Sequence, residues 1–79
     1  MNLAQALLLQ RVKVESFSTE LDVHMTLLEL GILPGDILQV TAKAIAGGPI
    51  AFKHDLHNFF ALRKEQAELI QVSKITEQK

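Results

Sequence analysis

Polar and apolar side chains alternate over Arg11-Val12-Lys13-Val14-Glu15, the pattern of a β-strand with one wet face. Ahead of this run, residues 2–8 predict a short helical turn, with Asn2 as its N-cap and Leu3 and Leu7 four apart on one side. Behind it the period lengthens. Leu21, Met25 and Leu28 fall at i, i+4 and i+7, and Leu27 and Leu30 widen that stripe, which predicts an amphipathic helix over about residues 20–30 with the stripe turned to the core. Ser18 or Thr19 supplies the N-cap, and Thr19 with Asp22 three places on approximates a capping box. Glu20, Asp22 and Glu29 take the wet side, the first two set against the positive end of the helix dipole.

The stretch Leu30-Gly31-Ile32-Leu33-Pro34-Gly35-Asp36 stops that helix and turns the chain. Gly31 can close a helix in the left-handed conformation, Pro34 forbids the helix from resuming, and Gly35 suits the turn position that needs positive φ. A strand follows, with Leu38, Val40 and Ala42 facing one way and Ile37, Gln39 and Thr41 the other. Ala46-Gly47-Gly48-Pro49 reads as a loop, Ile50 and Phe52 as the inward side of a third strand, and Asp55-Leu56-His57-Asn58 as a hairpin tip. Phe60 and Leu62 mark a fourth strand, residues 64–68 a single helical turn, Ile70 and Val72 a last strand, and residues 74–79 a polar tail. The order β-α-β-β-β-β predicts a mainly β domain spanning residues 1–79, packed over about 9–73, whose bent antiparallel sheet closes into a small SH3-like barrel.

Composition narrows the chemistry. With 79 residues, 48% of them hydrophobic, the chain makes one folded domain with a modest core. The absence of cysteine removes disulfides, thiolate metal sites and cysteine nucleophiles. A net charge of -1 gives no field for nucleic acid or an anionic membrane. No run of apolar residues is long enough to insert in a bilayer, and Ala6-Leu7-Leu8-Leu9 lacks the basic leader of a secretory signal. The expectation is a soluble, cytoplasmic protein that binds no nucleic acid and does not itself enter the membrane.

Enzyme signatures are missing. There is no phosphate loop ending in Lys-Ser/Thr, no dinucleotide fingerprint and no nucleophile elbow, and Pro49 removes a backbone donor directly after Gly47-Gly48. The expectation is therefore no catalysis and no required cofactor. His54, Asp55 and His57 form one candidate metal site, since imidazole and carboxylate suit Fe(II) or Zn(II). They converge only if the hairpin bends between them, and an open site of this kind binds weakly. His24 pairs with Glu20 one helical turn away. Phe17, Leu33, Ile37, Leu56 and Phe59 are apolar residues at turns, at the hairpin tip or on outward strand positions; those left clustered and exposed form a partner-binding or self-association patch.

The order of these pieces resembles the ferrous iron transport protein A (FeoA) family of small cytoplasmic SH3-like barrels. Leu30-Gly31-Ile32-Leu33-Pro34-Gly35 matches the family's helix end and turn, Gly48-Pro49-Ile50 its entry into the third strand, and the run from Ala61 to Val72 its ending. The resemblance covers residues 10 to 73. It implies a non-enzymatic accessory of ferrous iron uptake that docks on the cytoplasmic, GTP-binding part of the membrane transporter FeoB and is so recruited to the inner face of the membrane. The alternative from a different class is a metal-sensing module that binds Fe(II) or Zn(II) at the His54/His57 hairpin.

Overall fold

Val12 and Val14 are fully buried while Arg11, Lys13 and Glu15 are exposed, so the first alternating run is a strand, β1 (Arg11–Phe17). The structure is a computed structural model that describes residues 1–17, 21–54 and 58–75. A helix α1 (Leu21–Glu29) follows, then β2 (Ile37–Lys43), β3 (Ile50–Lys53), β4 (Phe59–Leu62), one turn of helix α2 (Lys64–Ala67) and β5 (Ile70–Lys74). All pairings are antiparallel, in the order β4-β3-β2-β1-β5. The last strand returns beside the first, and register shifts in β1 between Val14 and Ser16 and in β2 between Val40 and Ala42 bend the sheet. This is the small SH3-like barrel the pattern predicts.

One face of every strand feeds a single core. Phe52 is its largest member, with Leu38, Val40, Ile50, Leu62, Ile70 and Val72 around it. Phe60 leans on Phe52 at 6.0 Å between ring centroids, tilted by 50°, within the spacing aromatic pairs favour. The outer edge of β5 is covered by the N-terminus: Asn2 bridges Gln71, and Val72 N–H donates to the Met1 carbonyl at 2.8 Å. Covering an edge in this way removes a template for unwanted strand addition.

The helix end follows from backbone chemistry. Gly31 sits at φ 77°, its N–H donates to the Leu28 carbonyl at 3.0 Å, and Ile32 N–H donates to the Leu27 carbonyl at 2.9 Å. This pair of bonds is the Schellman closure, and the hydrophobic contact that accompanies it is made by Leu27 and Ile32, both fully buried. Leu33-Pro34-Gly35-Asp36 then turns, with Gly35 at φ 96° and Asp36 N–H donating to the Leu33 carbonyl at 3.0 Å. The turn is stitched to β1, because Gly35 N–H donates to the Val14 carbonyl at 2.7 Å and Val14 N–H donates to the Asp36 carbonyl at 2.8 Å.

Four local expectations are corrected. Met25 and Leu28 do not face the core: they are 47% and 44% exposed, and the buried stripe of α1 passes through Leu27 with Thr26 and Leu30 half-buried. With apolar residues on two sides of a nine-residue helix, the Leu27–Ile32 closure decides which side turns inward. Leu7 is exposed because the N-terminal turn is a 3-10 helix ending at Gln5 (Leu3–Gln5), so the four-residue spacing with buried Leu3 never applies. Ala42 is exposed because the β2 register shift precedes it. The last strand runs on to Lys74 rather than stopping at Val72. Asn2 does cap, its side chain accepting from Gln5 N–H at 3.2 Å. The capping residues Ser18 and Thr19 lie outside the described residues, as do Glu20 and residues 76–79.

A Cβ added at Gly31 meets nothing within 4 Å, so Gly31→Ala carries only the left-handed backbone cost, about 1 kcal/mol. In a domain this small that lowers Tm by about 4–8 °C. Ile32→Ala, which empties the buried half of the closure, is expected to cost more, about 2–5 kcal/mol. Thermal and urea unfolding measure both. An Ile32→Ala loss no larger than that of Gly31→Ala would show that the closure is held by its backbone and not by packing.

Candidate functional site

Asp36 joins two elements that the chain keeps apart. One carboxylate oxygen, Oδ2, accepts from Leu33 N–H at 2.8 Å and lies 2.9 Å from His54 Nε2. The turn after α1 is thereby clamped to the base of the β3–β4 hairpin. His54 N–H donates to the Asn58 carbonyl at 2.9 Å, closing that hairpin, and the imidazole lies 6.4 Å from the Phe60 ring centroid. The His54 side chain is largely covered and that of Asp36 less so.

Of the three candidate metal ligands, only His54 falls within the described residues, and its Nε2 is engaged by Asp36; Asp55 and His57 lie outside them. Among the described residues no group of three or more His, Asp or Glu side chains could hold a metal ion. The described part of the chain therefore does not by itself supply a metal centre.

Large apolar side chains are exposed on the elements that the clamp joins. Leu33, on the clamped turn, is 52% exposed, and Phe59, opposite Lys53 at the hairpin base, is 61% exposed. Met25 and Leu28 add further exposed surface one turn before the helix stop. Ile37 is half-buried. Leu56 and the side chain of Phe17 lie outside what is described.

The comparisons with known proteins bear on the family and the fold. The FeoA domain model matches residues 1–74. The chain belongs to the FeoA family. Its members are small accessory proteins of ferrous iron transport and not a known enzyme family. Among solved structures, a FeoA-like protein from Clostridium acetobutylicum shares 28% identity over 100% of this chain and 91% of its own, with a TM-score of 0.85. The FeoA protein of Chlorobium tepidum shares 28% identity over 100% of this chain and 74% of its own, with a TM-score of 0.86. A Stenotrophomonas maltophilia FeoA complexed with zinc, named an SH3 domain protein and a candidate activating factor of ferrous iron transport, shares 27% identity over 92% of this chain and 89% of its own, with a TM-score of 0.78. No curated protein sequence matches significantly. No helix among the described residues is long and apolar enough to cross a membrane.

Sequence reasoning missed a second apolar patch on this FeoA barrel. Leu7, Leu8 and Leu9 are 68%, 58% and 63% exposed. They occupy a tight turn in which Gln10 N–H donates to the Leu7 carbonyl at 2.9 Å and Leu9 sits at φ 67°. Glycine or asparagine ordinarily takes that position, because a Cβ there crowds the backbone. The strain is held by Leu9 N–H donating to the Val40 carbonyl at 2.7 Å and by Gln39 Nε2 donating to the Leu9 carbonyl at 3.0 Å. The available signal was three consecutive leucines directly before a strand, with no helix long enough to absorb them.

A leucine kept in left-handed backbone with its side chain in water lowers stability, so Leu9→Asn is expected to raise it by about 0.5–1 kcal/mol. Chemical denaturation measures the change. A loss of stability on substitution would mean that the Leu9 side chain is packed and not displayed.

Proposed function

We propose that this FeoA-family protein is a non-enzymatic, cytoplasmic accessory of ferrous iron uptake that docks on the cytoplasmic part of a FeoB-type transporter. The observation that carries the reading is the display of Leu33 and Phe59 on two elements that Asp36 and His54 fasten together. Apolar anchors held on a rigid base lose little conformational freedom on binding, which is how a small surface reaches useful affinity. The zinc-complexed relative named as a candidate transport activating factor supports the same role.

Co-purification with a FeoB-type transporter from membranes tests this. Leu33→Asp and Phe59→Ser are each expected to weaken retention roughly tenfold or more, with Tm held within about 3 °C because both side chains are exposed. Retention unchanged in both variants would overturn the proposed surface.

A second reading, a metal-responsive module at His54, Asp55 and His57, is favoured by one observation, the zinc bound to the Stenotrophomonas maltophilia relative. In this reading Asp36 orients the His54 ring through Nε2 and leaves Nδ1 as the ligating atom. Zn(II) titration followed by NMR is then expected to perturb His54, and His57→Ala to abolish the effect. A titration that His57→Ala leaves unaltered would remove this reading.

A further inference from the structure

Three cationic side chains surround two abutting depressions that the docking role does not use. One, of about 210 Å³, is lined by Ala4, Lys43, Ala44, Gly47, Gly48, Ile50 and Lys64. The other, of about 180 Å³, is lined by Gly47, Gly48, Pro49, Arg63, Lys64 and Glu65. Gly47, Gly48 and Lys64 belong to both, so the two form a single cleft with Lys64 at its middle.

Two of its donors are held in place. Lys43 Nζ donates to the carbonyls of Ala6 at 2.9 Å and Ala4 at 3.1 Å, which leaves the ammonium one further hydrogen to give. Lys64 lies over Gly47: a Cβ added there would meet Lys64 Cδ at 3.5 Å and Nζ at 3.8 Å. The loop beneath is left-handed at two successive residues, Ala46 at φ 62° and Gly47 at φ 78°, a strain that an alanine ordinarily avoids. Among the described residues no carboxylate is within ion-pair distance of Lys43, Arg63 or Lys64, and Glu65 is the one acid lining the cleft. Three cations against one carboxylate make a local excess of positive charge on a chain whose net charge is -1. Like charges fixed around one concavity repel, and an anion between them relieves that repulsion while accepting their hydrogen bonds.

We propose that this cleft is an oxyanion site for a phosphate-type group, with Lys43, Lys64 and Arg63 as donors. The donors are side chains, which suits a loop whose Pro49 has no N–H to offer. The charge-assisted donors lining the cleft are Lys43, Lys64 and Arg63, so the cleft reads the charged group and not the molecule that carries it. The group arrives as free phosphate or at the end of a nucleotide, and the two sources differ in whether anything beyond the phosphate adds affinity.

Backbone NMR of the full chain, titrated with inorganic phosphate at constant ionic strength, tests the site. Saturable shifts are expected at residues 44–49 and 63–65, with chloride giving none of them. Lys64→Gln is expected to weaken binding about tenfold and Glu65→Gln to strengthen it, by removal of one attraction and one repulsion. Lys13→Gln, on the outer face of β1, leaves the curve where it was. A nucleoside diphosphate is expected to bind as tightly as phosphate does. Phosphate shifts that chloride reproduces, a Lys64→Gln curve equal to that of the unaltered protein, or a nucleotide more than tenfold tighter than phosphate would each overturn the proposal.

Discussion

The pair of hydrogen bonds between Val14 and the Gly35-Asp36 peptide governs this structure. Val14 is a core residue of β1, which lies between β2 and β5, and both of its backbone groups are spent on a turn that belongs to the end of α1. That turn can lie there only because Gly31 closes the helix in left-handed backbone and Gly35 completes the bend. Together these bonds fix where the single long helix leaves the sheet and where β2 begins. With fourteen buried apolar residues in the core among the described residues, a barrel of this size has little packing energy with which to tolerate a second arrangement.

The same constraint shapes the surface. Once Leu27 and Ile32 are committed to the core, Met25 and Leu28 must turn outward and Leu33 must ride on the turn. Asp36, placed by its own backbone bond to Val14, then has its carboxylate free to hold Leu33 N–H and the His54 ring. The apolar display is thus a consequence of how the helix is stopped. Among the described residues the interior is filled by Phe52 and its apolar neighbours and buries no polar or charged residue, so the side chains offered to a partner are those on the outside.

The residues whose roles are set by their immediate neighbours were legible in the sequence. Gly31, Pro34 and Gly35 announce the helix stop through backbone chemistry alone, and Val12/Val14, Ile50/Phe52 and Ile70/Val72 announce strands through their alternation. Roles set by distant partners were hidden. The orientation of α1 depends on the contact between Leu27 and Ile32, the exposure of Ala42 on a register shift, and the bond between His54 and Asp36 on two residues eighteen apart. His54 drew notice as a metal ligand because composition reveals side-chain chemistry but not the neighbour that has already engaged it. Leu9 was passed over because nothing in a leucine's identity signals left-handed backbone.

The central claim is that an exposed apolar surface, held by the Asp36 clamp, does the binding. Methyl cross-saturation NMR on the labelled protein bound to a FeoB-type transporter tests it most directly, since it reports which side chains touch the partner. The account requires saturation to enter through Leu33 with Met25 and Leu28 beside it. Saturation confined to methyl groups far from the helix stop, with Leu33 untouched, would contradict it.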